Sequence, residues 1–93
     1  MKFSVLEKDD CIGQYRVYQY TFAHPCTHHH CTILSIYGTL RVFTTFPKPY
    51  FHIKASDILI KGIVGEPTIE TTFFDYQENV LQEKFEKFIM KQL

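Results

Sequence analysis

The chain has 93 residues, 45% of them hydrophobic and 16% aromatic, with nine Phe and six Tyr. That is the composition of one globular domain over residues 1–93, and it excludes a disordered chain or a second core. Ten Lys and Arg balance ten Asp and Glu, so no surplus of cations favours general binding to a phosphate backbone.

The first ten residues become charged too early for a signal peptide, and no apolar run approaches the ~20 residues of a membrane span. A soluble, cytoplasmic protein without membrane contact is the expectation. The three cysteines, Cys11, Cys26 and Cys31, agree with it, since an odd count makes a poor disulfide framework.

Residues 3–7 form a short strand-like run ended by the charged cluster Glu7, Lys8, Asp9 and Asp10. Residues 14–22 carry Tyr15, Val17, Tyr18, Tyr20 and Phe22, a β-branched and aromatic set that suits a pleated surface. In residues 31–46 the pair Gly38-Thr39 has the chemistry of a type II′ turn, which predicts a hairpin with Tyr37 opposite Leu40 and Cys31 opposite Phe46. Both faces of that hairpin are partly apolar, so it belongs in the middle of a sheet.

Pro47 and Pro49 interrupt any ladder. Residues 50–55 then alternate, with Phe51, Ile53 and Ala55 on one side and Tyr50, His52 and Lys54 on the other. Two further strands are predicted over 58–64 and 68–74, separated by Gly65-Glu66-Pro67. Beyond Asp75 there is neither Gly nor Pro, and Leu81, Phe85, Phe88 and Ile89 recur at helical spacing. The spacing predicts an amphipathic helix over 76–91, with Asp75 as its cap and Glu78 as the capping-box partner.

These elements define an α+β fold, mainly an antiparallel β-sheet or half-barrel of six to seven short strands closed by one C-terminal helix. The order also resembles that of a pleckstrin-homology-like sandwich. That resemblance is one of element order alone and carries no function. The sheet edges are expected at residues 3–7 or 68–74, where unpaired backbone groups would await a partner.

One segment stands out chemically. Residues 23–31 hold His24, Cys26, His28, His29, His30 and Cys31, and imidazole and thiolate are the ligands zinc prefers. The candidate metal ligands are His24, Cys26, His28, His30 and Cys31. In an extended segment His28 and His30 point the same way and could reach one ion, but four ligands on a straight strand cannot, because alternate residues are roughly 6.6 Å apart. The spacing matches no zinc finger, and a solvated His-rich loop explains the same letters. No catalytic residues are nominated: the carboxylates are dispersed, and no phosphate loop can be built from four scattered glycines.

The reading that follows is a small non-catalytic binding or assembly module acting through a protein partner or self-association. It needs no cofactor, or zinc in the alternative where the His/Cys segment binds metal. Fifteen aromatic residues are hard to hide in so short a chain. A third, less favoured reading is a single-stranded nucleic-acid surface in which Tyr18, Tyr20 or Tyr50 stacks bases beside Arg16, Arg41, Lys48 and Lys54.

Overall fold

The computed structural model describes residues 3–8, 15–45, 47–74 and 80–93. Six strands form one antiparallel sheet: β1 (Phe3–Lys8), β2 (Arg16–Phe22), β3 (Thr39–Phe43), β4 (Tyr50–Lys54), β5 (Ile58–Ile63) and β6 (Thr68–Phe73). Their spatial order is β1-β2-β6-β5-β4-β3, so the sheet is open, with β1 and β3 at its edges. The described residues also include two α-helices, α1 (His28–Leu34), followed by a 3₁₀ turn over Ser35–Tyr37, and α2 (Val80–Gln92). The α+β architecture with a C-terminal helix is the one expected from the sequence. Of the arrangements it allowed, the structure is a single antiparallel sheet crossed by the helix.

Alternation decides which face is covered. Tyr18, Tyr20 and Phe22 of β2, Phe51 and Ile53 of β4, Ile58 and Ile60 of β5, and Ile69, Thr71 and Phe73 of β6 are all buried, and the strand register places them on one face. Helix α2 supplies Phe85 and Ile89 to this core, and α1 supplies Cys31 and Leu34. The Phe85 ring meets Tyr20, Tyr37 and Phe73 edge-on at 5.5, 5.3 and 5.9 Å between centroids. Phe88 packs on Tyr37 at 5.3 Å. Offset and edge-on rings add to their area burial, so this aromatic cluster holds the helix on the sheet. A polar contact fixes the same junction: the Tyr20 hydroxyl donates to Glu86 Oε2 at 3.0 Å, and Gln82 donates to that oxygen at 2.7 Å.

Three expectations are corrected. The hairpin over 31–46 does not exist; its first half is α1 and the 3₁₀ turn. Thr27 caps α1, its side chain accepting from the His30 N–H at 3.3 Å while His30 Nδ1 accepts from the Thr27 N–H at 3.0 Å. This is a capping box in which histidine takes the place of Glu or Gln. Cys31 and Leu34, three apart, form the buried stripe of this seven-residue helix.

Gly38 is not a turn residue either. Its backbone is extended, with φ 176°, and a Cβ there would lie 2.5 Å from the Lys54 carbonyl oxygen. Glycine is required at this position by the close approach of two backbones. Finally, β3 is an edge strand rather than a central one, and β6 is central rather than an edge, since it pairs with both β2 and β5. The proposed caps Asp75 and Glu78, together with Cys11 and Phe46, lie outside the described residues.

Connections gather at one end of the sheet. Phe22 N–H donates to the Pro67 carbonyl, Cys26 N–H to the Glu66 carbonyl and Gly65 N–H to the Cys26 carbonyl, all within 2.8–2.9 Å. Gly65, whose N–H bonds to Cys26, has φ +97°, a conformation that favours glycine.

Phe85→Ala removes the ring on which α2 docks. The expected loss of unfolding free energy is about 3–5 kcal/mol by denaturant titration. A loss under about 1 kcal/mol would show that the helix does not rest on that ring.

Candidate functional site

Two regions concentrate functional chemistry: the His/Cys segment with α1, and the uncovered face of the sheet.

The structure divides the five candidate metal ligands into separate environments. Cys26 and Cys31 are buried in the core as free thiols. Burial pushes both up to about 11, with Cys31 adding to the rise at Cys26, so each is a neutral thiol near pH 7. His28 is exposed on the first turn of α1. Because 28–34 is helical, residues two apart diverge by about 200° around the axis. The alternation that would bring His28 and His30 to one ion is therefore replaced by helical spacing.

His24 and His30 do meet, stacked at 4.8 Å with planes 22° apart, and Phe22 also stacks on His24 at 6.4 Å. Their ring nitrogens are largely engaged. His24 Nδ1 faces the Pro25 carbonyl oxygen and its Nε2 the Leu93 backbone oxygen, each at 3.1 Å. His30 Nδ1 is taken by the Thr27 N–H. Among the described residues no three His, Cys, Asp or Glu side chains converge into a group able to hold a metal ion. The segment caps a helix and, through His24, joins residues 22–27 to Leu93 beyond the end of α2.

His30 is titratable within that cap. Burial, followed by the neighbouring His24 and His29, holds its pKa below the ordinary histidine value. Protonation would also remove the acceptor that Nδ1 presents to Thr27.

The second region is built from the residues that point away from the core. Across the sheet, Arg41, His52, Lys61, Glu70, Gln19 and Leu6 form one row, and Phe43, Tyr50 and Ile63 the next. Glu70 lies between Lys8 at 2.9 Å and Lys61 at 3.4 Å. The hydrogen bond from Lys8, with Lys61 nearby, holds its carboxyl below the usual range against the opposing effect of burial. Beside this triad is a ring cluster: Phe43 lies 5.6 Å from Tyr50 and 5.2 Å from His52, and Tyr50 lies 6.4 Å from His52. Two shallow hollows border it. One, of about 450 Å³, is edged by Tyr50, Lys61 and Glu70; the other, of about 390 Å³, is edged by Arg41, His52 and Lys54.

The expected aromatic platform is corrected here residue by residue. Tyr18 and Tyr20 are core residues. Arg16 approaches Glu7 at 3.9 Å on the covered side, and Lys48 pairs with Glu66 at 2.6 Å. Tyr50, Arg41 and Lys54 remain and share the open face. Phe43, His52 and Lys61 were not singled out from the sequence as members of this surface. The alternation of 50–54 already placed His52 beside Tyr50, but Phe43 needed the β3–β4 register.

Compared with known proteins, the chain matches no family model, no curated protein and no solved structure. No helix among the described residues is long and apolar enough to cross a membrane.

Two measurements probe the His/Cys region. Residue-resolved alkylation of the native protein is expected to modify Cys26 and Cys31 at least tenfold more slowly than in denaturant; equal rates would show that they are accessible thiolates.

The pH dependence of stability has a definite sign. The unfolded chain takes up the His30 proton near its ordinary pKa of about 6.5, while the folded protein resists it. This contribution is therefore complete above about pH 6.5 and declines as pH falls from there through the lower folded pKa. Glu70, whose pKa is lowered from 4.5, acts only further down. His30→Gln keeps a capping acceptor and removes the titration, so it is expected to flatten stability between pH 6.5 and 5. An unchanged slope would exclude His30 as the group responsible.

Proposed function

We propose that the chain is a non-catalytic assembly module that associates through the outer edge of β1, in the first instance with a second copy of itself. The observation that carries this reading is the composition of that edge. β1 is the last strand of the sheet, six residues long and paired to β2 without a bulge. Val5 and Leu6 lie on its two opposite faces and are 43% and 61% exposed. An edge of this length leaves a row of unpaired backbone donors and acceptors, and apolar side chains on both faces give an added strand something to pack against.

The opposite edge is less inviting. β3 is shorter, presents the exposed Arg41, and is followed closely by Pro47 and Pro49, features that discourage strand addition. Antiparallel addition of a second β1 about Leu6 sets Leu6 against Leu6 and keeps Glu7 opposite Val5 rather than opposite another Glu7. The two core faces then continue on the same side of the joined sheet.

The neutral, buried thiols and the dispersed acids favour a binding role over catalysis. The metal-binding alternative makes a distinct demand, one metal ion per chain after dialysis against a weak chelator.

Sedimentation velocity across 5–200 μM is expected to show a concentration-dependent dimer that Leu6→Lys and Val5→Lys return to monomer with the fold intact by circular dichroism. A wild-type chain that stays monomeric at 200 μM overturns the self-association reading. Stoichiometric metal by elemental analysis would move the assignment to the His/Cys segment.

A further inference from the structure

We infer that the open face of the sheet over β3, β4 and β5 is a binding site for single-stranded nucleic acid. This goes beyond association through β1 and uses different residues.

Charge separates this face from the rest of the molecule. The whole chain is neutral, yet the strand residues pointing away from the core include four cations, Lys8, Arg41, Lys54 and Lys61, and one carboxylate, Glu70. Glu70 is already compensated by Lys8 and Lys61. Arg41 and Lys54 are exposed and have no acidic partner among the described residues. The face therefore presents uncompensated positive charge, and its occupant is an anion.

The second property is aromatic. Tyr50, Phe43 and His52 form a half-buried ring cluster in the middle of these cations rather than in the core. The hollows on either side bring Lys61 next to Tyr50 and Arg41 and Lys54 next to His52. A polymer that alternates planar rings with phosphates matches this interleaving, with bases against Tyr50 and Phe43 and phosphates at Arg41 and Lys54. A duplex has its base faces occupied by stacking, so a ring surface on an open sheet face selects unpaired strands. An acidic peptide would satisfy the cations and leave the rings unused. An anionic membrane would call for a denser basic cluster than two unpaired cations.

The test is fluorescence anisotropy with labelled oligo(dT) and oligo(U) of 15 nucleotides at 50 mM salt, beside a 15-base-pair duplex, polyglutamate and phosphatidylserine vesicles. Saturable binding of a single strand, at least tenfold tighter than to duplex or polyglutamate, supports the site. Tyr50→Ala is then expected to weaken binding five-fold or more, while Tyr50→Phe retains it. With two phosphates neutralised, the log–log salt slope should lie near −1.4, and Arg41→Gln, an exposed change that cannot unfold the sheet, should lower its magnitude by about 0.7. No single-strand binding at 100 μM protein overturns the inference. So does equal binding to polyglutamate, binding to vesicles without binding to oligonucleotides, or indifference to both Tyr50→Ala and Arg41→Gln. Val5→Lys, which tests the β1 edge from the opposite face, should leave single-strand binding in place, so the two readings fail separately.

Discussion

The docking of α2 onto one face of the sheet is the interaction on which the rest of the structure depends. A six-stranded sheet has two faces, and the described helices both pack on one of them. Phe85 and Ile89 close that face over Tyr20, Phe73 and the isoleucines of β5 and β6, with α1 extending the cover through Leu34. The Tyr20 hydroxyl, buried and held above its ordinary pKa first by desolvation and then by Glu86, stays protonated and donates to that carboxylate. On the other face the described strand side chains are mostly exposed or half-buried, with Thr72 buried among them. The division between a sealed side and a more open side thus follows from both described helices packing on the same face.

How much of this was legible in the sequence depended on the range of the interaction concerned. The alternation of 50–55 was readable because each strand residue answers to the two faces locally, and the helix announced itself through Leu81, Phe85, Phe88 and Ile89. The segment around α1 was not readable in the same way. Thr32 and Ile33 are β-branched, His30 is an unusual capping-box partner, and the whole helix has only two buried positions, Cys31 and Leu34. Tertiary contacts override so weak a local preference. Gly38 was misread for a related reason: a glycine needed for close approach to Lys54 looks, in the sequence, like a glycine needed for a turn. The placement of β6 in the centre was hidden because its pairing with β2 spans most of the chain.

The candidate sites follow the same division. His24, Cys26, His28, His30 and Cys31 are adjacent in sequence, and that adjacency suggested a ligand set. The onset of a helix at His28 sends Cys31 inward, His28 outward, and His30 back onto its own cap, while Cys26 is buried ahead of the helix where its backbone bonds to Gly65 and Glu66. The open-face cluster shows the converse. Arg41, Phe43, Tyr50, His52 and Lys61 are spread over three strands, and only the register of β3, β4 and β5 makes them neighbours. A composition with no net charge concealed a face that has one.

The strand order also determines how the sheet can assemble. β3, β4, β5 and β6 follow one another along the chain and pair consecutively, a meander in which each strand needs only the one before it. β2 belongs beside β6, however, and Thr21 meets Thr68 across 47 positions of sequence. The chain entropy of closing that long loop falls on a single step, the arrival of β2, after which β1 adds by a local hairpin. Until β2 arrives, β6 has an open apolar edge, with Ile69 and Phe73 facing a core that lacks Tyr18 and Tyr20. The strand at the centre of the finished sheet is thus completed on one side by a sequence neighbour and on the other by the longest-range pairing in the sheet.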